Sequence, residues 1–317
     1  MRVPRVSVCI VTYNHERYIH NCIMSVIAQA KDADLEILVG DDLSTDGTQQ
    51  VVNALQRKFP EFVYYFRHNE RMGPVGNFQF LISRARGEYI AHLDGDDYWL
   101  PGKLDKQVEL LEGAEGFSAI YTNALCINDS GSSLGLFNNY QPTILDTRYL
   151  LLKGNFLNHS SLIYKAIHKY DILLWSSDFI DYKIHLYLSC KGDLGYINSP
   201  GVVYRVGSET SMLVHQRERV LELYWNAIDD LMLESTQSNV RLLAYADFLR
   251  RVFFLSVRTR SLTLLKKWWK TVWHGCDQNK VLLIVFATRR IIVHGVRMLM
   301  LLSCAKIGSG MRIIYWR

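Results

Sequence analysis

Gly87-Glu88-Tyr89-Ile90-Ala91-His92-Leu93-Asp94-Gly95-Asp96-Asp97-Tyr98-Trp99 is the stretch that decides how this chain reads. Glu88 to Leu93 is an apolar run of the length of a buried strand. Three carboxylates follow within four residues. Gly95 lets the backbone turn sharply, so that Asp94 and Asp96 converge. Carboxylates this close are costly unless they are solvated or neutralised by a cation. Two of them with open coordination positions suit Mg2+ or Mn2+, which prefer oxygen ligands and share them with phosphates.

Outward from this run, similar apolar segments recur. They begin at Val6, Leu35, Phe62, Glu88 and Phe117, at spacings of 29, 27, 26 and 29 residues. Helix-period stripes lie between them: Ile19, Cys22, Ile23, Val26, Ile27 and Ala30, then Val51, Val52, Leu55 and Phe59, then Phe78, Leu81, Ile82 and Ala85, then Leu104, Val108 and Leu111. Continuous apolar strands alternating with amphipathic helices predict a mostly parallel sheet covered by helices on both faces. In such sheets the chemistry sits beyond the carboxyl ends of the strands.

Those ends are polar. They read Thr12-Tyr13-Asn14-His15, Asp41-Asp42-Leu43-Ser44-Thr45-Asp46-Gly47-Thr48, Arg67-His68-Asn69-Glu70-Arg71-Met72-Gly73 and Asp94-Gly95-Asp96-Asp97. Four successive strand ends of this kind predict a polar ligand cleft. Ser44, Thr45 or Asp46 is placed to cap the following helix. Asp41 and Asp42 stand where a carboxylate accepts from a base N–H or a ribose hydroxyl. His15, His68 and His92 are scattered and read as loop or packing residues.

Composition sets limits. Of 317 residues 49% are hydrophobic and 21% charged, enough for a real core, so a disordered chain is excluded. The six cysteines form no CxxC pair, and reduced thiols in a cytosolic compartment are expected. No secretory signal is expected: the run from Val6 to Tyr13 ends in Asn14-His15-Glu16-Arg17 without a cleavage site. No stretch of 18 uncharged apolar residues predicts a membrane span. Neither a G-x-G-x-x-G after a strand nor a P-loop occurs.

Residues 6 to about 111 resemble a family 2 glycosyltransferase with the GT-A fold, and the likeness continues more weakly to about 212. Val6-Ser7-Val8-Cys9-Ile10-Val11-Thr12-Tyr13-Asn14 is similar to that family's opening strand. Leu35 to Thr48 is similar to its second motif, with Leu43 where glycine is usual, and Gly87 to Trp99 to its metal-site strand. The resemblance implies that Thr12 and one of Asp41 or Asp42 hold the nucleobase and ribose, with Arg71 supporting the nucleotide. It implies that Asp94 and Asp96 bind the Mn2+ or Mg2+ on the donor diphosphate, with Asp97 adding charge. An acidic pair before a helix usually supplies the general base. Here Ser176-Ser177-Asp178-Phe179-Ile180-Asp181-Tyr182 offers Asp178 first and Asp181 second, without the first acid of the pair. Tyr204-Arg205 resembles a later Tyr-Arg element, either ordering the diphosphate side or packing a strand. The activity implied is inverting transfer from a nucleotide sugar, with UDP the usual carrier, to an acceptor hydroxyl. The alternative is a non-catalytic nucleotide-sugar or glycan-assembly binding protein on the same fold.

The C-terminal part has a different character. Residues 241–317 hold fifteen Lys and Arg against two acids, Asp247 and Asp277. The expected division is a GT-A domain over 1–212 and a helical, basic, membrane-associated region over 213–317. Trp and Lys mixed over 262–273 favour a membrane–water boundary. Arg290, His294 and Arg297 fall at i, i+4, i+7 as a basic stripe for an anionic leaflet. The heavy aliphatic content argues against nucleic acid as a partner. These features predict a protein peripheral on the cytoplasmic face of the membrane, acting on a lipid-linked or polysaccharide acceptor.

Overall fold

The computed structural model describes residues 3–30, 34–207, 216–235, 238–276, 279–304 and 313–315, without side chains for 232–235, 238–239, 297–304 and 315. It divides into two compact units, one of residues 1–146, 156–215 and 312–317, the other of 147–155 and 216–311. The sequence boundary near 212 lies outside the described residues.

The first unit is the α/β body. Strands β1 (Val6–Thr12), β2 (Leu35–Asp41), β3 (Val63–Arg67) and β4 (Tyr89–Asp94) alternate with helices α1 (Ile19–Ile27), α2 (Thr48–Lys58) and α3 (Gly73–Arg84). A short β5 (Tyr98–Trp99) leads into α4 (Lys103–Gly113) and the long β6 (Phe117–Ile127). β7 (Ser133–Asn138), β8 (Ile144–Leu145), β9 (Ile163–Lys165) and β10 (Asp193–Arg205) follow. Their order across the sheet is β11-β7-β6-β9-β4-β1-β2-β3, where β11 is Ile313–Tyr315, and β10 pairs with β5, β6 and β8. Pairing along β4-β1-β2-β3 is parallel throughout, and β10 also runs parallel to β6. β9 runs antiparallel between β4 and β6.

The helices form for the reason their stripes suggest. α1 buries Ile19, Cys22, Ile23 and Val26, α3 buries Phe78, Leu81 and Ile82, and α4 buries Leu104, Val108 and Leu111. β1 and β2 are buried on both faces, so their runs are apolar without alternation. At the amino end of these strands Glu36 is buried yet satisfied. It accepts from Ser7 Oγ at 2.6 Å and from Arg86 Nε at 2.9 Å. At the other end the chain leaves β1 toward β2 on one side and returns through β4 on the other. That reversal opens a crevice between β1 and β4.

The second unit is helical: α5 (Thr147–Lys153), α8 (Arg217–Ser235), α9 (Ser238–Thr259), α10 (Leu262–Gly275) and α11 (Lys280–Cys304). Its core is aromatic, with Trp225 against Tyr245 and Phe248 at 5.0 and 5.2 Å, and Phe248 against Trp268 at 5.1 Å. Buried Asp247 gathers Arg250, Arg251 and Arg290 at 2.9, 3.0 and 3.2 Å. Arg290 also donates to Leu152 O and Arg251 to Lys153 O, closing the carbonyl end of α5.

Arg290 therefore turns into the protein, and His294 packs edge-on against Phe254 at 4.7 Å. Helical spacing alone predicted these two on an outward basic stripe. The buried Asp247 supplies the counter-charge that draws Arg290 inward. The side chain of Arg297 lies outside the described residues.

Candidate active site

The loops after β1 and β2 are laced together. Asn14 N–H donates to Ser44 Oγ at 2.9 Å, while Asn14 Oδ1 accepts from Thr45 N at 2.8 Å. His15 N–H donates to Thr48 Oγ1 at 2.9 Å, and Glu16 N–H to Asp46 Oδ2 at 3.0 Å. Asp46 also accepts from Thr48 N at 3.0 Å, which holds the start of α2. Leu43, in the position where the resemblance puts glycine, has a left-handed φ of 62°. A Cβ is costly there, which explains the preference for glycine.

Asp41 and Asp42 stand differently. Asp41 is fully buried and spent on the protein, accepting from Ser44 N at 2.8 Å and Tyr65 OH at 2.6 Å. Asp42 faces the loop before α3. Its Oδ1 accepts from Met72 N at 2.7 Å and Gly73 N at 3.2 Å, and its Oδ2 from Arg71 Nε at 2.9 Å. The half-exposed Arg71 guanidinium lies 3.4 Å from the centre of the Tyr13 ring. Tyr13, Asp42 and Arg71 thus form a planar, polar wall beside buried Thr12.

β4 delivers the acidic turn. Gly95 N–H donates to Val11 O at 2.9 Å, and Asp97 N–H to Asp94 O at 3.0 Å. A Cβ on Gly95 would stand 2.7 Å from His15 Nδ1 and 2.8 Å from Thr12 Oγ1. Only glycine lets the turn close on the end of β1. Asp97 is buried, accepting from Ser160 Oγ at 2.6 Å and Arg205 N at 2.9 Å. Ser160 Oγ in turn accepts from Asp94 N at 3.1 Å. The Arg205 guanidinium donates to Asp96 O at 3.3 Å and Asn128 O at 3.0 Å, 4.1 Å over the Tyr18 ring. Ser160 and Arg205 clamp the turn from beneath. No motif marked Ser160 in the sequence, because its role depends on the chain returning beside β4.

Asp181 is the first residue of α7 (Asp181–Lys191), and its Oδ1 accepts from Tyr182 N at 2.8 Å. Burial pushes the Asp94 carboxyl up to about 7, and the charges of Asp96 and Asp181 add to the shift. Burial lowers His15, opposed first by the charge of Asp96, and its Nδ1 lies 3.2 Å from Thr12 Oγ1. Asp178 is exposed, three residues before the helix. Asp94 thus feels the charges of Asp96 and Asp181, and Thr12, Asp42 and Arg71 stand at or just beyond the adjoining strand ends.

The donor set fits a hard dication. Burial first, and the neighbouring carboxylates second, disfavour the charged form of Asp94, and a bound cation would offset both. Among the described residues no three His, Cys, Asp or Glu side chains form a metal cage. A site that shares its cation with a diphosphate needs only one or two protein carboxylates. The histidines beneath are packing: His92 stacks on His159 at 4.8 Å, and His159 lies 5.7 Å from His185. Burial lowers all three, His159 to about 4, so they are neutral at pH 7.

A mostly parallel sheet with an acidic turn where β4 lies beside β1, and polar loops at the adjoining strand ends, matches the GT-A class. TarS of S. aureus, solved as residues 1–349 with UDP-GlcNAc, superposes with a TM-score of 0.56 at 15% identity, over 87% of this chain and 93% of that one. The mannosyltransferase PcManGT of Pyrobaculum calidifontis, solved with GDP-Man and Mn2+, gives 0.55 at 17%, over 92% and 88%. The family model described as "Glycosyl transferase family 2" matches residues 7–165, and the chain belongs to that family. An uncharacterized protein of Mycobacterium tuberculosis is 29% identical over 204 residues, 63% of this chain. A GalNAc(5)-diNAcBac-PP-undecaprenol beta-1,3-glucosyltransferase of Campylobacter jejuni is 35% identical over 124 residues, 39% of each chain. The chain spans 58% of the length of the mycobacterial relative.

Proposed function

We propose that this chain transfers a sugar from a UDP-linked donor to a hydroxyl of a lipid-linked or polysaccharide acceptor, with inversion, at the cytoplasmic face of the membrane. The observation that carries the reading is the acidic turn at the end of β4, held by Ser160 and Arg205, where the charges of Asp96 and Asp181 act on buried Asp94. The nucleotide complexes of TarS and PcManGT, and the undecaprenol-linked substrate in the name of the Campylobacter relative, support the donor and acceptor classes.

In this reading Thr12, Asp42 and Arg71 hold the nucleoside, and the Tyr13 ring keeps Arg71 flat. Asp41 acts through the loop it anchors. Asp94 and Asp96 would hold Mn2+ or Mg2+. A dication there would supply stabilisation of the negative charge that develops on the departing nucleoside diphosphate. Asp97, Ser160 and Arg205 fix the turn so that Asp94 and Asp96 need not reorganise. Asp181 takes the proton from the acceptor hydroxyl as it attacks the anomeric carbon. One base and a single displacement give inversion.

Asp181→Asn tests this assignment. Turnover should fall by roughly 10²–10⁴-fold while UDP-sugar binding persists, with Asp178→Asn near wild type. Wild-type turnover in Asp181→Asn would refute the role.

A further inference from the structure

The second unit carries a surface that the active site does not use. Along α11 the residues Val281, Ile284, Val285, Ile292, Val293 and Val296 are 40–68% exposed. They recur at helical spacing on the side away from buried Leu283 and Ala287 and from Arg290, which is tied to Asp247. An apolar face of this size is unusual on a protein surface exposed to water alone. α10 continues it. Leu262 is 73% exposed and Trp269 37%, with exposed Lys266 and Lys270 on the same stripe. Trp269 stacks with Trp273 at 6.1 Å, and Lys280 at the start of α11 lies 5.0 Å from the Trp273 ring. The second of these contacts brings the start of α11 beside the aromatic end of α10.

We propose that this face of α10 and α11 is a monotopic membrane-docking surface that takes an anionic lipid bilayer. The aliphatic side of α11 enters the acyl boundary. Trp269 and Trp273 sit at headgroup level, and Lys266, Lys270, Lys280 and the exposed Arg289 meet lipid phosphates. Charge selects this occupant. Asp247, one of the two acids after residue 240, is buried beneath three arginines. Among the described residues after 240 that buried Asp247 is the one acid, so a symmetric pairing of two copies would set these cations against their equivalents. No helix among the described residues is long and apolar enough to cross a membrane, so the helix lies in the interface plane. The role deepens the reading of a membrane-borne acceptor and rests on it for its purpose. The surface itself is tested without turnover.

The test is flotation of the full chain with phosphatidylcholine vesicles, with and without phosphatidylglycerol, alongside sedimentation velocity. Wild type should float with the anionic vesicles and bind them at least tenfold more weakly in the zwitterionic ones. The double variant Val285→Asp/Ile292→Asp should lose about a hundredfold in partitioning. It should keep its melting temperature and its stabilisation by UDP with Mn2+, because both positions face outward. Val285→Ser/Ile292→Ser should fall between. Three results overturn the proposal: wild type that fails to float, an aspartate variant that floats as wild type does, or a wild-type dimer that the aspartate variant dissolves. Vesicle binding without any sugar transfer would refute the enzymatic reading and leave this surface standing.

Discussion

If Asp94 titrates near 7 in the free protein, metal and proton compete for it in the physiological range. The magnitude follows from that one value. At pH 8 the carboxyl is about nine-tenths ionised, and at pH 6 about one-tenth. Mn2+ affinity at saturating UDP-glucose should therefore fall about tenfold from pH 8 to pH 6, or ~1.4 kcal/mol. An ordinary carboxylate near 3.9 would change by about one per cent over the same range. UDP-glucose suits the assay because its diphosphate, unlike that of UDP, has no ionisation near pH 6. Free Mn2+ is followed by its electron paramagnetic resonance signal. Asp181→Asn removes one of the charges that raise Asp94, so the variant's affinity should depend less on pH. Without ligand the sign reverses. Asp94, raised above its unfolded value, favours the fold below about pH 4 and loses that contribution as pH rises through 7. A metal affinity constant to within twofold between pH 6 and 8 would refute the reasoning.

Two further substitutions probe the frame. Asp247→Asn leaves three guanidiniums without their carboxylate and should destabilise the helical unit by about 3–5 kcal/mol in urea unfolding. Burial acts to raise Asp247, but Arg251, Arg250 and Arg290 outweigh it and hold the carboxyl below its usual range. Its contribution is therefore present above about pH 4 and lost on further acidification. Gly95→Ala would press a methyl group against Thr12 and His15, and should weaken UDP-sugar binding about tenfold or more while the protein stays folded.

Much of the architecture was legible because strand burial and helix stripes are local properties of the chain. β1, β2 and β4 show as uninterrupted apolar runs, and α1 as a stripe at i, i+3, i+4, i+7, because each packs on a continuous core. Long-range returns were not legible. β11 joins the first unit's sheet beside β7 from the far end of the chain, where the sequence shows no strand rhythm. α5 belongs to the helical unit, although it sits in sequence between β8 and β9. The resemblance left Asp178 and Asp181 as alternatives because the first acid of the usual pair is missing from the stretch 176–182. Asp178 is exposed in the loop, while Asp181 opens α7 and its charge acts on Asp94. Arg290 shows the same limit, since a helical wheel counts charges but does not see Asp247 waiting inside.

The most direct measurement is a crystal structure with UDP-glucose and Mn2+. The account predicts the ion on the diphosphate within about 2.0–2.3 Å of a carboxylate oxygen of Asp94 or Asp96, uracil beside Asp42 and Arg71, and Asp181 facing the anomeric carbon. An ion bound away from both Asp94 and Asp96, or a nucleotide seated outside the β1/β4 crevice, would contradict it.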